Sequence, residues 1–457
     1  MRRWLTAAML GVLLGACGSG VPSGPPASPR ASARPAGTRS GSASAGPSSG
    51  AISVPVASPL PASATPAGSL PALDLPTIAV PAGSLHALAG SQPLATWGSR
   101  TYTVDEPLRS GHASLVVTDL ASGTSGRTVI PLLAGETTQP PDGFADPATV
   151  LATDAHWLAV VIWKRLGPVG GEVGTPCSGH EGQPVAWRLL VVPLDPATGR
   201  PAGAFRVLDQ GTSAHPFTLP GQGEGCGGPR TPRVSLDGDV IAYTVEETGL
   251  GGTPFATRIE VRALPAGSLL RSVERPQEVL FVALSAGTLA YTESQDASTV
   301  PNPRWSVGLS TAAHPAPTVV VAGAQDPGYV APPVIALDGD LLAWQLLNQH
   351  GRGLWVERIG GSPEQVVPAR LTCWLGGITT GWVGMGCAPT GYQAESYTPY
   401  QPVVWSPATG LRQLAGLPAL TVSSAPSLGG GWLVADGGSP IEGSGTLVGV
   451  SLSGLAP

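Results

Sequence analysis

The sequence predicts an all-β body, on three observations. One phrase recurs: LDGDVIAY at 236–243 returns as LDGDLLAW at 337–344 and, in weakened form, as LSAGTLAY at 284–291. Short runs such as VIAYTV, TRIEVRAL, TLAYTES, LLAWQLL, GLWVERI and SLVVTDL are rich in Val, Ile, Leu and aromatic residues and are bounded by Gly, Pro, Asp and Ser, as strands are. No stretch holds a 3.6-residue apolar stripe over a dozen positions, so no amphipathic helix is expected.

Each copy of the phrase reads as a hairpin. Its first apolar residue ends a strand, Asp-Gly or Ala-Gly makes the tight turn where positive φ is needed, and the following run opens the next strand. Ala242, Ala290 and Ala343 recur at one point of that run, where neighbouring sheets would press closest. A third strand follows, then a polar turn such as LPAGS, then often a fourth strand. Four antiparallel strands every ~40–50 residues is the spacing of a propeller blade. The expected fold is therefore a single seven-bladed β-propeller of four-stranded antiparallel blades, over residues 73–457.

Extending outward from the clear units gives blades at about 85–131, 148–209, 232–274, 278–322, 330–368, 370–415 and 421–457. DPATG at 195 and SPATG at 406 each fit the turn between third and fourth strands and check the register. The last unit stops after its third strand, TLVGVSL. A ring left open there would expose a strand edge, and the apolar segment 76–82 is expected to supply the missing outer strand.

The amino terminus addresses the compartment. Arg2 and Arg3 precede an uncharged apolar run from Trp4 to Ala16, a charged region followed by a hydrophobic one, as in export signals. The run is too short to span a bilayer, which takes about 20 apolar residues. It ends Leu14-Gly15-Ala16-Cys17, which resembles the lipobox of bacterial lipoproteins. The resemblance implies a signal peptide over 1–16, cleavage before Cys17 and a diacylglycerol on its thiol. Residues 17–72 are nearly all Ser, Pro, Ala and Gly, with too little apolar bulk to offset ordering entropy, and read as a disordered tether. The expected location is extracytoplasmic, lipid-anchored to the bacterial membrane through Cys17. Charged residues are 12% of the chain and the formal net charge is −6, which argues against a nucleic-acid partner or a polybasic membrane surface.

Once Cys17 is lipidated, Cys177, Cys226, Cys373 and Cys387 remain, and an even number outside the cytosol suggests two disulfides. Cys177 and Cys226 fall on two long connections of the same face and are expected to pair. Cys373 and Cys387 flank WLGGITTGWVGMG and are expected to meet across one hairpin. The alternative for the first pair is a metal held by Cys177, His180 and Cys226.

The hairpin phrases resemble the Asp-Gly hairpin element of TolB-like propellers, a group that includes the propellers of prolyl oligopeptidases. The resemblance covers the second to fifth units best. The family's Ser-Pro before Asp-Gly is not kept, and neither its helical partner domain nor its peptidase domain accompanies these units. The resemblance thus implies fold and carries no partner over.

Candidates for chemistry are few. No G-x-S-x-G elbow, H-E-x-x-H or phosphate loop occurs. Asp237, Asp239, Asp338 and Asp340 could suggest calcium or paired carboxylates, but Asp-Gly is itself a turn signal. His180, Glu181, His215 and Glu224 lie on the long connections, and Tyr392 and Tyr397 on another, all placed on the ligand face. Trp163, Trp187, Trp344, Trp355, Trp382, Trp405 and Trp432 read as blade-to-blade packing. The function expected is a non-catalytic binding or scaffold module for an envelope protein, peptide or glycan; the alternative is a propeller-type hydrolase or lyase acting on sugars or lactones at the central funnel. No cofactor or metal is expected, and a monomer is.

Overall fold

The computed structural model describes residues 72–81, 83–90, 93–106, 111–138, 151–166, 185–213, 232–247, 256–295, 304–324, 331–347, 353–390, 400–415, 417, 425–436 and 445–455. The chain divides into 1–50 and 51–457, and every described residue belongs to the second unit. The described residues form strands and turns, with no helix.

Seven four-stranded antiparallel blades follow one another along the chain, the sixth extended by one parallel strand. Blade one is Ala95–Trp97, Arg100–Asp105, Ala113–Asp119 and Thr124–Ile130; blade two is Leu151–Thr153, Trp157–Arg165, Val185–Pro193 and Arg206–Ser213. Blade three is Val234–Asp237, Val240–Glu247, Ala256–Ala263 and Ser268–Arg275; blade four is Glu278–Ser285, Thr288–Ser294, Arg304–Thr311 and Thr318–Ala324. Blade five is Ala331–Asp338, Leu341–Leu347, Leu354–Arg358 and Glu364–Gln365; blade six is Leu371–Thr379, Trp382–Pro389, Gln401–Ser406 and Gly410–Ala415. Blade seven takes Ser427–Gly429, Trp432–Asp436 and Gly445–Ser451 from the C-terminal end and Leu85–Gly90 from the N-terminal side. The first strands of successive blades touch in order, and that of blade seven touches that of blade one, so the sheets close a ring. This is a seven-bladed β-propeller.

The closing strand differs from the expectation. Leu85–Gly90, not 76–82, completes the last blade, pairing Leu85 with Val450 and Gly90 with Gly445. Blade one accordingly begins at Ala95. The reason is proline: Pro76 and Pro81 bracket the earlier segment and supply no N–H to a ladder, whereas 85–90 contains none. The earlier segment still pairs. Thr77–Ala79 runs parallel to the outer strand of blade six, Thr77 opposite Gln413 and Ala79 opposite Ala415. Just before it, Leu73 is 1% exposed in the core between blades five and six, and Ile78 and Val80 pack on the core between blades six and seven. The N-terminal arm therefore straps two seams before it closes the ring.

The repeated Ala-aromatic step explains how the blades pack. Successive strand residues point to opposite faces, so the two side chains enter different seams. Ala242, Ala290 and Ala343 each join the cluster shared with the following blade, and all are 0% exposed. Tyr243, Tyr291 and Trp344 each join the cluster shared with the preceding blade. In blade six the small position is Gly384, where an added Cβ would lie 2.5 Å from Leu428 of blade seven. Gly376 is tighter still, 2.0 Å from the Pro426 carbonyl, so the glycine-rich hairpin of blade six is what lets blade seven approach.

Hydrogen bonds lock the ring in the same period. Ser235 Oγ and Asp237 Oδ2 accept the Leu284 and Ala286 amides one blade on, at 2.9 and 2.6 Å. Ser285 Oγ accepts Gly339 N at 2.9 Å, and Thr379 Oγ1 accepts Gly431 N at 2.8 Å. Gly98 N donates to Gly429 O at 3.1 Å across the closing seam. Cys373 and Cys387 are directly cross-strand, with Cα atoms 4.1 Å apart, and form the expected disulfide in a fully buried position.

Candidate functional site: the connecting face and a buried acid cluster

Antiparallel blades sort their connections. Turns between first and second strands, and between third and fourth, emerge on one face; second-to-third and blade-to-blade connections emerge on the other. His180 and Glu181 fall in the second-to-third connection of blade two, His215 and Glu224 between blades two and three, and Tyr392 and Tyr397 in the second-to-third connection of blade six. All six lie outside the described residues, as do Cys17, Cys177 and Cys226. What is described are the strand ends that bound them, such as Arg165 opposite Val185. Tyr400, at the end of one such connection, packs on the blade, 8% exposed and edge-on to Trp374 with ring centroids 6.3 Å apart.

The hairpin carboxylates do more than turn the chain. Asp239 Oδ1 accepts the Trp157 indole N–H at 2.9 Å, tying blade three to blade two. Asp340 pairs with Arg358 at 2.9 Å in the open. Among the described residues no group of three or more His, Cys, Asp or Glu is placed to hold a metal ion.

A polar cluster sits at the seam of blades two and three, and the motif search missed it. Tyr243 belongs to the repeated phrase; Asp209 comes from the outer strand of blade two, where a bulge follows Val207. The Tyr243 hydroxyl lies 2.7 Å from Asp209 Oδ2 and 2.8 Å from Glu260 Oε2, so one phenolic proton faces two carboxylates. Arg258 Nε reaches Glu260 Oε1 at 2.9 Å and Arg262 Nη2 reaches Oε2 at 2.6 Å. Burial first, then the hydrogen bonds to Asp209 and Glu260, push the phenol far above its ordinary range. Burial alone would raise the Glu260 carboxyl, but the Tyr243 and Arg262 hydrogen bonds and the arginine charges hold it below the usual range. The phenol is thus a permanent donor, and the cluster is an ion-paired clamp rather than a proton-accepting site. Nothing in the phrase LDGDVIAY signals the two acids; Glu260 alternates with Arg258 and Arg262 on one strand face, and that spacing is the only local sign.

Two further buried pairs follow the same logic. Arg275 grips Glu293 of the next blade with two 2.7 Å bonds while Ser306 Oγ donates to the same carboxylate at 2.7 Å. The Arg275 guanidinium also lies 5.5 Å from the ring centroid of Tyr291, whose phenol burial pushes up to about 12. Arg188 makes a forked contact with Glu136, at 2.7 and 2.5 Å. Asp154 differs. It is 3% exposed, and its Oδ1 caps the His156 and Trp157 amides at 2.7 Å each, but its Oδ2 is buried without a partner and burial raises its carboxyl.

No protein-family model and no curated protein sequence matches this chain. Solved structures of similar architecture include a puromycin-hydrolyzing peptidase of Mycobacterium tuberculosis, 17% identical with a TM-score of 0.45, over 85% of this chain and 55% of that one. The acylaminoacyl peptidase of Pyrococcus horikoshii is 10% identical with a TM-score of 0.43, over 72% of this chain and 45% of that one. TolB from Acinetobacter baumannii is 9% identical with a TM-score of 0.32, over 77% of this chain and 79% of that one. The chain spans about half the length of the two peptidases. These neighbours correct the functional expectation: propeller-bearing peptidases stand where an envelope scaffold, or a hydrolase or lyase of sugars or lactones, was expected. At these identities the likeness reaches the propeller fold alone.

Proposed function

We propose that the chain works outside the cytoplasm as a lipid-anchored propeller, held to the membrane by a diacylglycerol on Cys17 and acting through its connecting face. The observation that carries this is the sequence Arg2-Arg3, apolar run, Leu14-Gly15-Ala16-Cys17, followed by a Pro/Ser/Ala/Gly stretch to residue 72. The buried Cys373–Cys387 disulfide supports an oxidising compartment. The strapped, hydrogen-bonded ring is a rigid frame for loop-borne chemistry, and His180, Glu181, His215, Glu224, Tyr392 and Tyr397 are the residues we assign to that face. The test is metabolic labelling with a fatty acid in the native host. The wild-type chain takes up label and Cys17→Ser takes up none. A wild-type chain without label overturns the anchor.

A further inference from the structure

The outer strands of blades two, three and four share a local irregularity. Each carries a bulge near its start: between Val207 and Asp209, at Leu270, and at Val320. The residue before the extra one is equivalent in all three, and it is apolar and open: Val207 is 48% exposed, Leu269 53% and Val319 53%. Leu270, the extra residue of the middle blade, is 57% exposed. The turns leading into these strands add exposed Pro265 and Ala266 in blade three and Pro315 to Pro317 in blade four. The blades adjoin there: Gly267 of the blade-three turn lies against Leu208, and Arg271 Nη2 reaches the Gly287 carbonyl of blade four.

This band is not a general property of the ring. The outer strand of blade five opens on exposed Glu364, and that of blade six is covered by Thr77–Ala79. The other exposed large apolar residues, Val129, Leu133 and Leu166, lie toward the connecting face, whereas these recur at one position near the turns of three adjacent blades, and such a recurring apolar patch marks an interaction site.

We propose that this arc, the outer rim of blades two to four, lies on a lipid surface. The inference rests on the Cys17 anchor, which would tie the propeller to the membrane through residues 17–72. The arrangement of charge favours lipid. Residues 265–270 and 312–321 carry no Asp or Glu, and exposed Arg206 stands beside Val207, as suits an anionic interface. Asp237, Asp239, Asp338 and Asp340 lie on the first-to-second turns, nearer the axis, and oppose flat docking of that face. The ring therefore leans on its rim, with the two leucines of the middle blade deepest.

The experiment uses the mature-length chain from residue 17 with Cys17→Ser and vesicles of phosphatidylglycerol and phosphatidylcholine. The lipid-free chain co-floats with vesicles. Leu269→Ser/Leu270→Ser lowers the partition coefficient on the order of tenfold, while Val129→Ser, exposed on blade one outside the arc, leaves it unchanged. Failure to float, or flotation unchanged by the leucine pair, overturns the proposal. So does a vesicle-free dimer that the leucine pair dissolves, which would assign the arc to a second copy. Because this chain carries no lipid, the outcome is separate from the labelling of Cys17.

Discussion

Replacing Tyr243 by Phe removes one oxygen from the clamp between blades two and three. Two contacts disappear, of 2.7 Å to Asp209 and 2.8 Å to Glu260. Hydrogen bonds to charged groups contribute about 1.5–3 kcal/mol each, a gross loss of about 3–6 kcal/mol. Three factors reduce it. One phenolic proton cannot serve both carboxylates fully, and half-buried Asp209 recovers water. Glu260 keeps Arg258 and Arg262. The expected net loss is about 2–4 kcal/mol in chemical denaturation. The loss has a pH signature. The folded Glu260 carboxyl is depressed, so its contribution is complete above the ordinary Glu range and fades as pH falls through the depressed value. Y243F removes one cause of the depression, so its deficit is largest near neutral pH and shrinks in acid. A double-mutant cycle with Asp209→Asn isolates the seam contact. A loss below about 0.5 kcal/mol, or a loss for Y243F that is the same in the parent chain as in the Asp209→Asn background, refutes the clamp.

Asp154 predicts the opposite pH dependence. Burial raises its carboxyl, so its stabilising form is the protonated one, present below the ordinary Asp range and lost as pH rises through the raised value. Asp154→Asn keeps an oxygen for the His156 and Trp157 amides, and urea titrations should show it at least as stable as the parent at pH 7 and relatively weaker near pH 3; a deficit at pH 7 contradicts the reading. Leu73→Ala tests the strap: a leucine 1% exposed among Leu371, Val367 and Leu375 should cost about 2–5 kcal/mol on truncation, and a change below about 1 kcal/mol would show that the arm does not hold the seam.

Strand content, blade spacing and the small-plus-aromatic step were legible because they are local and repeated. Alternation along a strand places Ala242 and Tyr243 on opposite faces whatever the rest of the chain does, and DPATG and SPATG turn the chain between third and fourth strands in both blades where they occur. The Cys373–Cys387 bridge was legible for the same reason, since one hairpin register sets both positions. The closing strand was not. Apolarity pointed to 76–82 and left 85–90 to blade one, whereas the choice came from which segment could offer an unbroken row of N–H groups to Gly445–Ser451. The acid clamp was invisible because Asp209, Tyr243 and Glu260 belong to three strands of two blades, and no spacing in the chain relates them.

By itself the sequence determined a ring of hairpin modules and the partners within each hairpin. Only the tertiary structure decided which terminus strand seals the last blade, which carboxylates are gripped by arginine, and which arc of the rim stays apolar and bare. The physical reason is range. Backbone geometry and side-chain alternation act over a few residues and leave a periodic trace, whereas a seam joins residues tens of positions apart that meet only once the wheel is closed.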